Sequence, residues 1–215
     1  MGAKTWMLVY AESNAREALG AQPQLDREAT QRLARTLFPG EKLEPLEDVN
    51  LSYTCPPDNE LHIGCFPGVS VVAAKEFGID YPSKLAERFI ATGGGGTISL
   101  HAMHSVVDWF AYAKWVNGKL IRSLSLSPDS GILEDIGERM LFEEPYWLGG
   151  HPAVDSEEEK DAYPFQFHPL ELGEAALHAL YGYQLEGVVV PALLEPESIP
   201  LVRYKRSRSW WRVWR

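Results

Sequence analysis

The strongest folding signal in this chain is an Asn-Gly pair between two stretches of alternating side chains. Asn117-Gly118 separates residues 106–116 from residues 119–126. Asn-Gly favours a two-residue type I′ turn, because both turn positions need a positive φ. Aromatic residues fall on both faces of the first stretch when it is read with the period of a strand. The sequence therefore predicts an antiparallel hairpin that is covered on both sides.

Further strands and helices follow from apolar runs and capping residues. The predicted strands lie at 4–10, 61–66, 69–75 and 97–103, with another within 132–142, and the predicted helices lie at 26–38, 83–91 and 169–181. With 45% hydrophobic and 23% charged residues, the composition is that of a folded globular domain. We expect one α+β domain over residues 1–200, in which a largely antiparallel, aromatic-rich sheet packs against about three helices.

The charge of the chain is unevenly distributed. Six basic residues and no acidic one lie in 203–215, so the remainder has 14 basic against 30 acidic residues, a net charge of −16. Such a body repels polyanions, and we expect residues 201–215 to be a separate basic tail. Binding of an anionic membrane or nucleic acid is expected only through this tail, at Arg206, Arg208, Trp210, Trp211, Arg212 and Trp214. The alternatives are a tail folded onto the acidic body, or an edge strand at 202–205 with a frayed end.

The sequence excludes several common classes of protein. No apolar run approaches the roughly 20 residues that span a bilayer, and no signal peptide precedes the domain, so we expect a cytoplasmic protein with no transmembrane segment. Two cysteines are too few for a disulfide framework or a closed zinc site. The glycine run 93–96 lacks the lysine of a phosphate-binding P-loop and is interpreted as a flexible connector. No dinucleotide or nucleophile-elbow motif occurs, and no cofactor is expected.

Four residues could carry catalysis. His101, His104 and Asp108 are of the types that bind zinc or iron, and Cys65 could act as a nucleophile with one of the histidines as its base. On a helix the spacing of the first three would place them together, but here the pattern is strand, turn, strand. We therefore expect no metal. A hydrolase with a Cys/His or metal-dependent site remains the enzymatic alternative.

Several segments carry a resemblance to a known family. They are MGAKTWMLVYA, GCFPG, LHAMHSVVDWFAYA, SLSLSPDSGILEDIGE, PYW and FHPLELGEAALHAL. Together they resemble an uncharacterised family of actinobacterial proteins, a domain of unknown function, over most of residues 1–185. The resemblance implies a bacterial cytosolic protein and brings no activity or ligand with it. The basic end of the chain is not part of the pattern.

The remaining polar cluster lies in a loop that follows a predicted strand. The segment 127–131 places two hydroxyl groups and a carboxylate in a short turn, and loops at strand ends often carry binding sites. Together with the 101–108 turn and exposed aromatic residues, this loop predicts a non-enzymatic interaction module for a protein or small-molecule partner. The expected ligand-binding residues are Ser127, Asp129, Ser130, Tyr146 and Trp147.

Overall fold

The computed structural model describes residues 2–153, 163–187 and 193–208. Ten strands run through these ranges: β1 Lys4–Ala11, β2 Glu41–Pro45, β3 Val49–Asn50, β4 Glu60–Phe66, β5 Val69–Ala73, β6 Thr97–His104, β7 Trp109–Val116, β8 Lys119–Ser127, β9 Gly131–Ile136 and β10 Pro200–Arg208. The helices are α1 Ala15–Gly20, α2 Arg27–Leu37, α3 Glu87–Thr92, α4 Glu144–Trp147 and α5 Pro169–Tyr181. None of these helices is long and apolar enough to cross a lipid bilayer.

The strands form one antiparallel sheet whose order is β2-β10-β4-β5-β1-β6-β7-β8-β9, with β3 also paired to β10. Helices α1 and α5 pack on one face, and α2 and α3 pack on the other. The sheet is thus the middle of three layers, which explains why all seven residues of β4 are buried. The antiparallel α+β architecture was expected, but the described residues hold five helices rather than about three.

Local sequence explains where the predicted helices begin. The Asp26 side chain accepts a hydrogen bond from the backbone N–H of Ala29 at 2.8 Å and caps α2 as expected. The predicted helix 83–91 is instead divided into a 3₁₀ turn, Pro82–Lys84, and α3. The Ser83 hydroxyl donates to the Glu134 carboxylate at 2.5 Å and its backbone N–H donates to the same carboxylate at 3.0 Å, so Ser83 does not cap a helix. Helices α1 and α4 were not predicted.

The central hairpin forms as predicted. Asn117 and Gly118 have φ values of 51° and 74°, which a type I′ turn requires. Along β7, Phe110 packs in the core beneath α5, whereas Trp109 and Trp115 pack in the core on the α2 side. The strand begins at Trp109, three residues later than predicted, because residues 105–108 form a turn.

Strand β10 lies inside the sheet, between β2 and β4. The segment expected to be a separate tail therefore includes part of the domain, and the predicted boundary at residue 200 coincides with the start of a strand. Arg206 is 5% exposed and donates hydrogen bonds to Glu41 at 2.7 Å and to Glu76 at 2.8 Å. This strand is interior rather than an edge strand because β2 and β4 pair with its two sides, and the carboxylates of Glu41 and Glu76 neutralise the buried charge of Arg206.

The glycine run forms a packed turn and not a flexible connector. A Cβ atom on Gly93 would lie 2.4 Å from the Ile98 side chain, and one on Gly96 would lie 2.4 Å from the Ala11 carbonyl oxygen. Gly94 has a φ of 55°, which side chains disfavour. Gly94, because of its φ, and Gly96, because of its contact with backbone, are therefore hard to replace in the turn that connects α3 to β6.

A buried ion pair joins α4 to the sheet. The Glu143 carboxylate precedes α4 and accepts from Arg122 Nε at 2.9 Å and from Arg122 Nη2 at 2.6 Å. It also accepts from the Met140 backbone N–H at 2.7 Å and from the Tyr112 hydroxyl. Arg122 and Glu143 are both fully buried. Because unpaired buried charges are costly, this cluster fixes α4 against β7 and β8.

Candidate functional site

Two of the β-turns lie next to each other at one end of the sheet. His104 pairs with Trp109 across the β6–β7 turn, and Ser127 pairs with Gly131 across the β8–β9 turn. The pairing of Phe110 with Leu126 joins the inner strands of these two hairpins. We call residues 105–108 and 127–132 the hairpin end. They overlap the segments 101–108 and 127–131 that the sequence analysis proposed as a binding surface, and they add Ile132.

The hairpin end exposes aliphatic side chains. Val106 is 73% exposed, Val107 is 48% exposed and Ile132, at the start of β9, is 47% exposed. Val106 and Val107 were expected at the start of the strand 106–116, but they lie in the turn and are exposed. Asp108 closes the turn with a φ of 47°, a conformation that aspartate tolerates better than most residues. The two turns thus combine apolar surface with backbone of fixed shape.

The polar residues of the β8–β9 turn have different roles. Ser127 is only 6% exposed, and its hydroxyl accepts a hydrogen bond from the Ser130 backbone N–H at 3.2 Å. Its oxygen therefore stabilises the turn. Asp129 and the Ser130 side chain lie on the exposed surface, where a partner can reach them.

Tyr146 and Trp147 were expected on an exposed binding surface, but the structure packs both against the core. Tyr146 is 8% exposed, its hydroxyl donates to the Glu171 carbonyl at 3.1 Å, and its ring stacks on His151 with centroids 4.2 Å apart. Trp147 is half-buried and packs edge-on against Phe167. These aromatic residues of α4 form part of the core, because the Glu143 cluster draws the helix inward.

Asp108 contacts the start of α5 instead of a histidine of its own hairpin. Its carboxylate lies 3.5 Å from His168 Nε2. His168 Nδ1 accepts from the Leu170 backbone N–H at 3.4 Å, which places the proton of the neutral ring on Nε2, facing Asp108. The sequence analysis missed this role of His168. A usable signal was its position before Pro169-Leu170, where a helix N-cap is expected.

Tyr163 extends this group and was also missed. Its ring stacks on His168 with centroids 5.7 Å apart, and burial raises the pKa of Tyr163 to about 12, with Asp108 and Glu171 adding to the effect. Its hydroxyl is buried and has no hydrogen-bond partner among the described residues. The phenol is therefore neutral at physiological pH, and its buried hydroxyl is left without a described partner next to His168.

Cys65 and His101 lie on opposite faces of the sheet. Cys65 interacts through its thiol with Thr30 of α2, whereas His101 Nε2 bonds to the Gly173 carbonyl of α5 at 3.0 Å. His101 Nδ1 is also 2.7 Å from Thr5 Oγ1, and burial lowers the pKa of His101 to about 4. Burial raises the pKa of the Cys65 thiol. The structure thus does not assemble the expected pair of nucleophile and base from these two residues.

His104 is separated from His101 in the same way. The two histidines are three residues apart in β6, so their side chains point to opposite faces. His104 stacks against Trp6 with centroids 6.4 Å apart. The described residues contain no group of three or more His, Cys, Asp or Glu side chains arranged to hold a metal ion. The sequence candidates for a metal site are therefore not brought together.

Most of the predicted anion-binding tail lies outside the described residues. Of its six residues, Trp210, Trp211, Arg212 and Trp214 fall in that part. Arg208 is the last residue of β10, and Arg206 is occupied by its two carboxylate partners. Binding of an anionic surface by this segment stays a prediction, to which Arg206 is not available.

Fold and site together define an α+β protein with a single antiparallel sheet between two helical layers and exposed β-turns at one end of that sheet. The family model described as "Family of unknown function (DUF6928)" matches residues 5–204, and the chain belongs to this family. Comparison with curated proteins and with solved structures finds no match.

Proposed function

We propose that the protein is a non-enzymatic binding protein that recognises a protein partner through its hairpin end. The observation that supports this function is the exposure of Val106, Val107 and Ile132 at two turns joined by paired strands. Exposed aliphatic side chains grouped on a rigid framework are typical of interaction surfaces. Turns held by a buried sheet also lose little conformational freedom when they bind, which favours affinity.

The charge of the surface indicates the chemistry of the partner. Asp108 and Asp129 place carboxylates in both turns, on a chain whose formal net charge is −10. A partner that is apolar at its centre and basic at its rim matches this pattern and is attracted to it over a distance. We therefore propose a partner with a basic, apolar contact surface. Binding should weaken as salt is added, because exposed charges are screened.

We also propose that the protein acts in the cytoplasm. Cys55 and Cys65 are both free thiols, and Cys55 is partly exposed. Thiols persist in the reducing cytosol and are commonly oxidised elsewhere. This location would also give access to an intracellular protein partner.

Site-specific photocrosslinking tests the surface. A photoreactive phenylalanine replaces Val106 in one protein and Ile121 in a control, since Ile121 is a 41%-exposed aliphatic residue of β8 outside the hairpin end. In cells that naturally make the protein, we expect one discrete adduct from position 106, and Ile132→Glu should abolish it. The proposal is wrong if position 106 yields no adduct, yields the same adducts as position 121, or keeps its adduct when Ile132 is changed.

A further inference from the structure

A cluster of cationic and aromatic side chains lies on the α2 side of the sheet, beside the end of β6. Lys4 pairs with His104 in the β1–β6 ladder, and Trp6 stacks on the same histidine. The Lys75 ammonium lies 3.9 Å from the centroid of the Trp6 ring. One ammonium group and one imidazole thus contact the same indole, and Lys4 lies opposite that imidazole on the neighbouring strand.

The position of Trp6 is tightly fixed. Its backbone N–H donates to the Thr54 carbonyl at 2.8 Å, and its carbonyl accepts from the Ala74 N–H at 3.1 Å. A Cβ atom on Gly78 would lie 2.8 Å from Trp6 Nε1, so the indole edge packs directly against the backbone of this glycine. A ring held in this way fixes the Lys75 ammonium through a cation–π contact. The contact between Trp6 and Lys75 therefore rests on a ring whose backbone and edge are held by the fold.

No described carboxylate forms an ion pair with the two lysines of this cluster, Lys4 and Lys75, although acidic residues outnumber basic ones by 30 to 20. Their fields reach the neighbouring side chains. Burial lowers the pKa of His104, and the positive charges of Lys4 and Lys75 lower it further. At Cys55 burial raises the pKa of the thiol, and the same two lysines oppose that effect.

A buried hydroxyl in the adjoining segment also lacks a partner. Thr54 is fully buried, and its Oγ1 makes no hydrogen bond to any described residue. Leaving such a buried group unpaired is unfavourable. Thr54 directly precedes Cys55 and supplies the carbonyl that holds Trp6. The unpaired hydroxyl thus lies in the segment whose backbone holds Trp6, one residue before Cys55.

We propose that Lys4, Lys75 and His104 bind a phosphate dianion, either free or as the terminal group of a phosphate monoester. Lysine ammonium groups are common phosphate ligands, and the imidazole can add an N–H donor. The acidic body selects a compact anion, because a nucleic acid or an anionic membrane would also meet the surrounding negative charge. This site does not depend on the proposed partner surface.

Cys55 provides a reporter for this cluster. It is partly exposed, whereas Cys65 is 6% exposed, and mass spectrometry identifies which thiol has reacted. An anionic aryl disulfide and a neutral dipyridyl disulfide are compared as labelling reagents. The Lys75→Met change should lower the ratio of their rates about threefold, as expected for one charge at short range in a wet site. Lys119→Met removes an exposed lysine at the opposite end of the sheet and should leave the ratio unchanged.

Phosphate itself provides the direct test. Millimolar inorganic phosphate should slow labelling of Cys55 by the anionic reagent and raise the NMR-measured pKa of His104 by half a unit or more, relative to chloride at equal ionic strength. Phenyl phosphate in a parallel titration distinguishes a monoester site, where it binds more tightly, from a site for free phosphate, where it binds more weakly. The proposal is overturned if phosphate changes neither observable, or if Lys75→Met and Lys119→Met have the same effect.

Discussion

Removing the Glu143 carboxylate should cost the protein a large part of its stability. Glu143→Ala deletes the acceptor of two hydrogen bonds from Arg122, one from the Met140 backbone and one from Tyr112. Asp135 and backbone carbonyls still contact the guanidinium, but its fully buried charge loses its fully buried counterion. Breaking a buried pair from one side typically costs about 3–5 kcal/mol, and we expect a loss in that range.

Equilibrium unfolding in urea, followed by tryptophan fluorescence, measures this loss. The adjacent Glu144→Ala change removes an exposed carboxylate and should cost less than about 1 kcal/mol. The double change Arg122→Met with Glu143→Leu removes both charges and should recover most of the stability that Glu143→Ala loses. If Glu143→Ala costs no more than Glu144→Ala, or if the double change is the less stable protein, the ion pair does not hold α4 as described.

Two further predictions concern pH and packing. Burial raises the pKa of Glu174 to about 7, above its ordinary 4.5, so its stabilising effect is complete below pH 4.5 and is lost as pH rises through 7. Between pH 5 and pH 8, wild type should lose up to about 3 kcal/mol relative to Glu174→Gln in urea titrations, and parallel curves would contradict this assignment. Gly96→Ala should cost about 1–3 kcal/mol, because its Cβ meets the Ala11 carbonyl oxygen at 2.4 Å. Gly95→Ala, whose nearest contact is 3.7 Å away at Asn117, should change thermal stability little, and equal melting temperatures for the two variants would refute the packing argument.

Local signals in the sequence predicted local structure well. The Asn117-Gly118 turn, the Asp26 cap and the bounds of α5 follow from interactions within a few residues, and the structure confirms all three. Ser83 shows where such reasoning fails. Its favourable capping position is overridden by Glu134, a partner 51 residues away that no local pattern reveals.

The positions of the two turns of the candidate site were predictable from the sequence, but which side chains lie together there was not. The two turns were found because strands and their connections have a clear period. The separation of Cys65 from His101 was not predicted. Whether two residues on different strands face the same side of a sheet depends on the order and register of the strands, which the sequence does not show. Arg206 was assigned to a basic tail for the same reason, since Glu41 and Glu76 approach it only through the folded sheet.

The interior place of β10 has a consequence for synthesis of the chain. Its partners β2, β3 and β4 all lie between residues 41 and 66, whereas β10 itself spans residues 200–208. Until β10 has been synthesised and has paired, β4 presents an open hydrogen-bonding edge. Pairings of such long sequence separation form slowly and leave nascent chains prone to aggregation. Chaperone demand during translation should therefore be set by these nine residues more than by the rest of the domain.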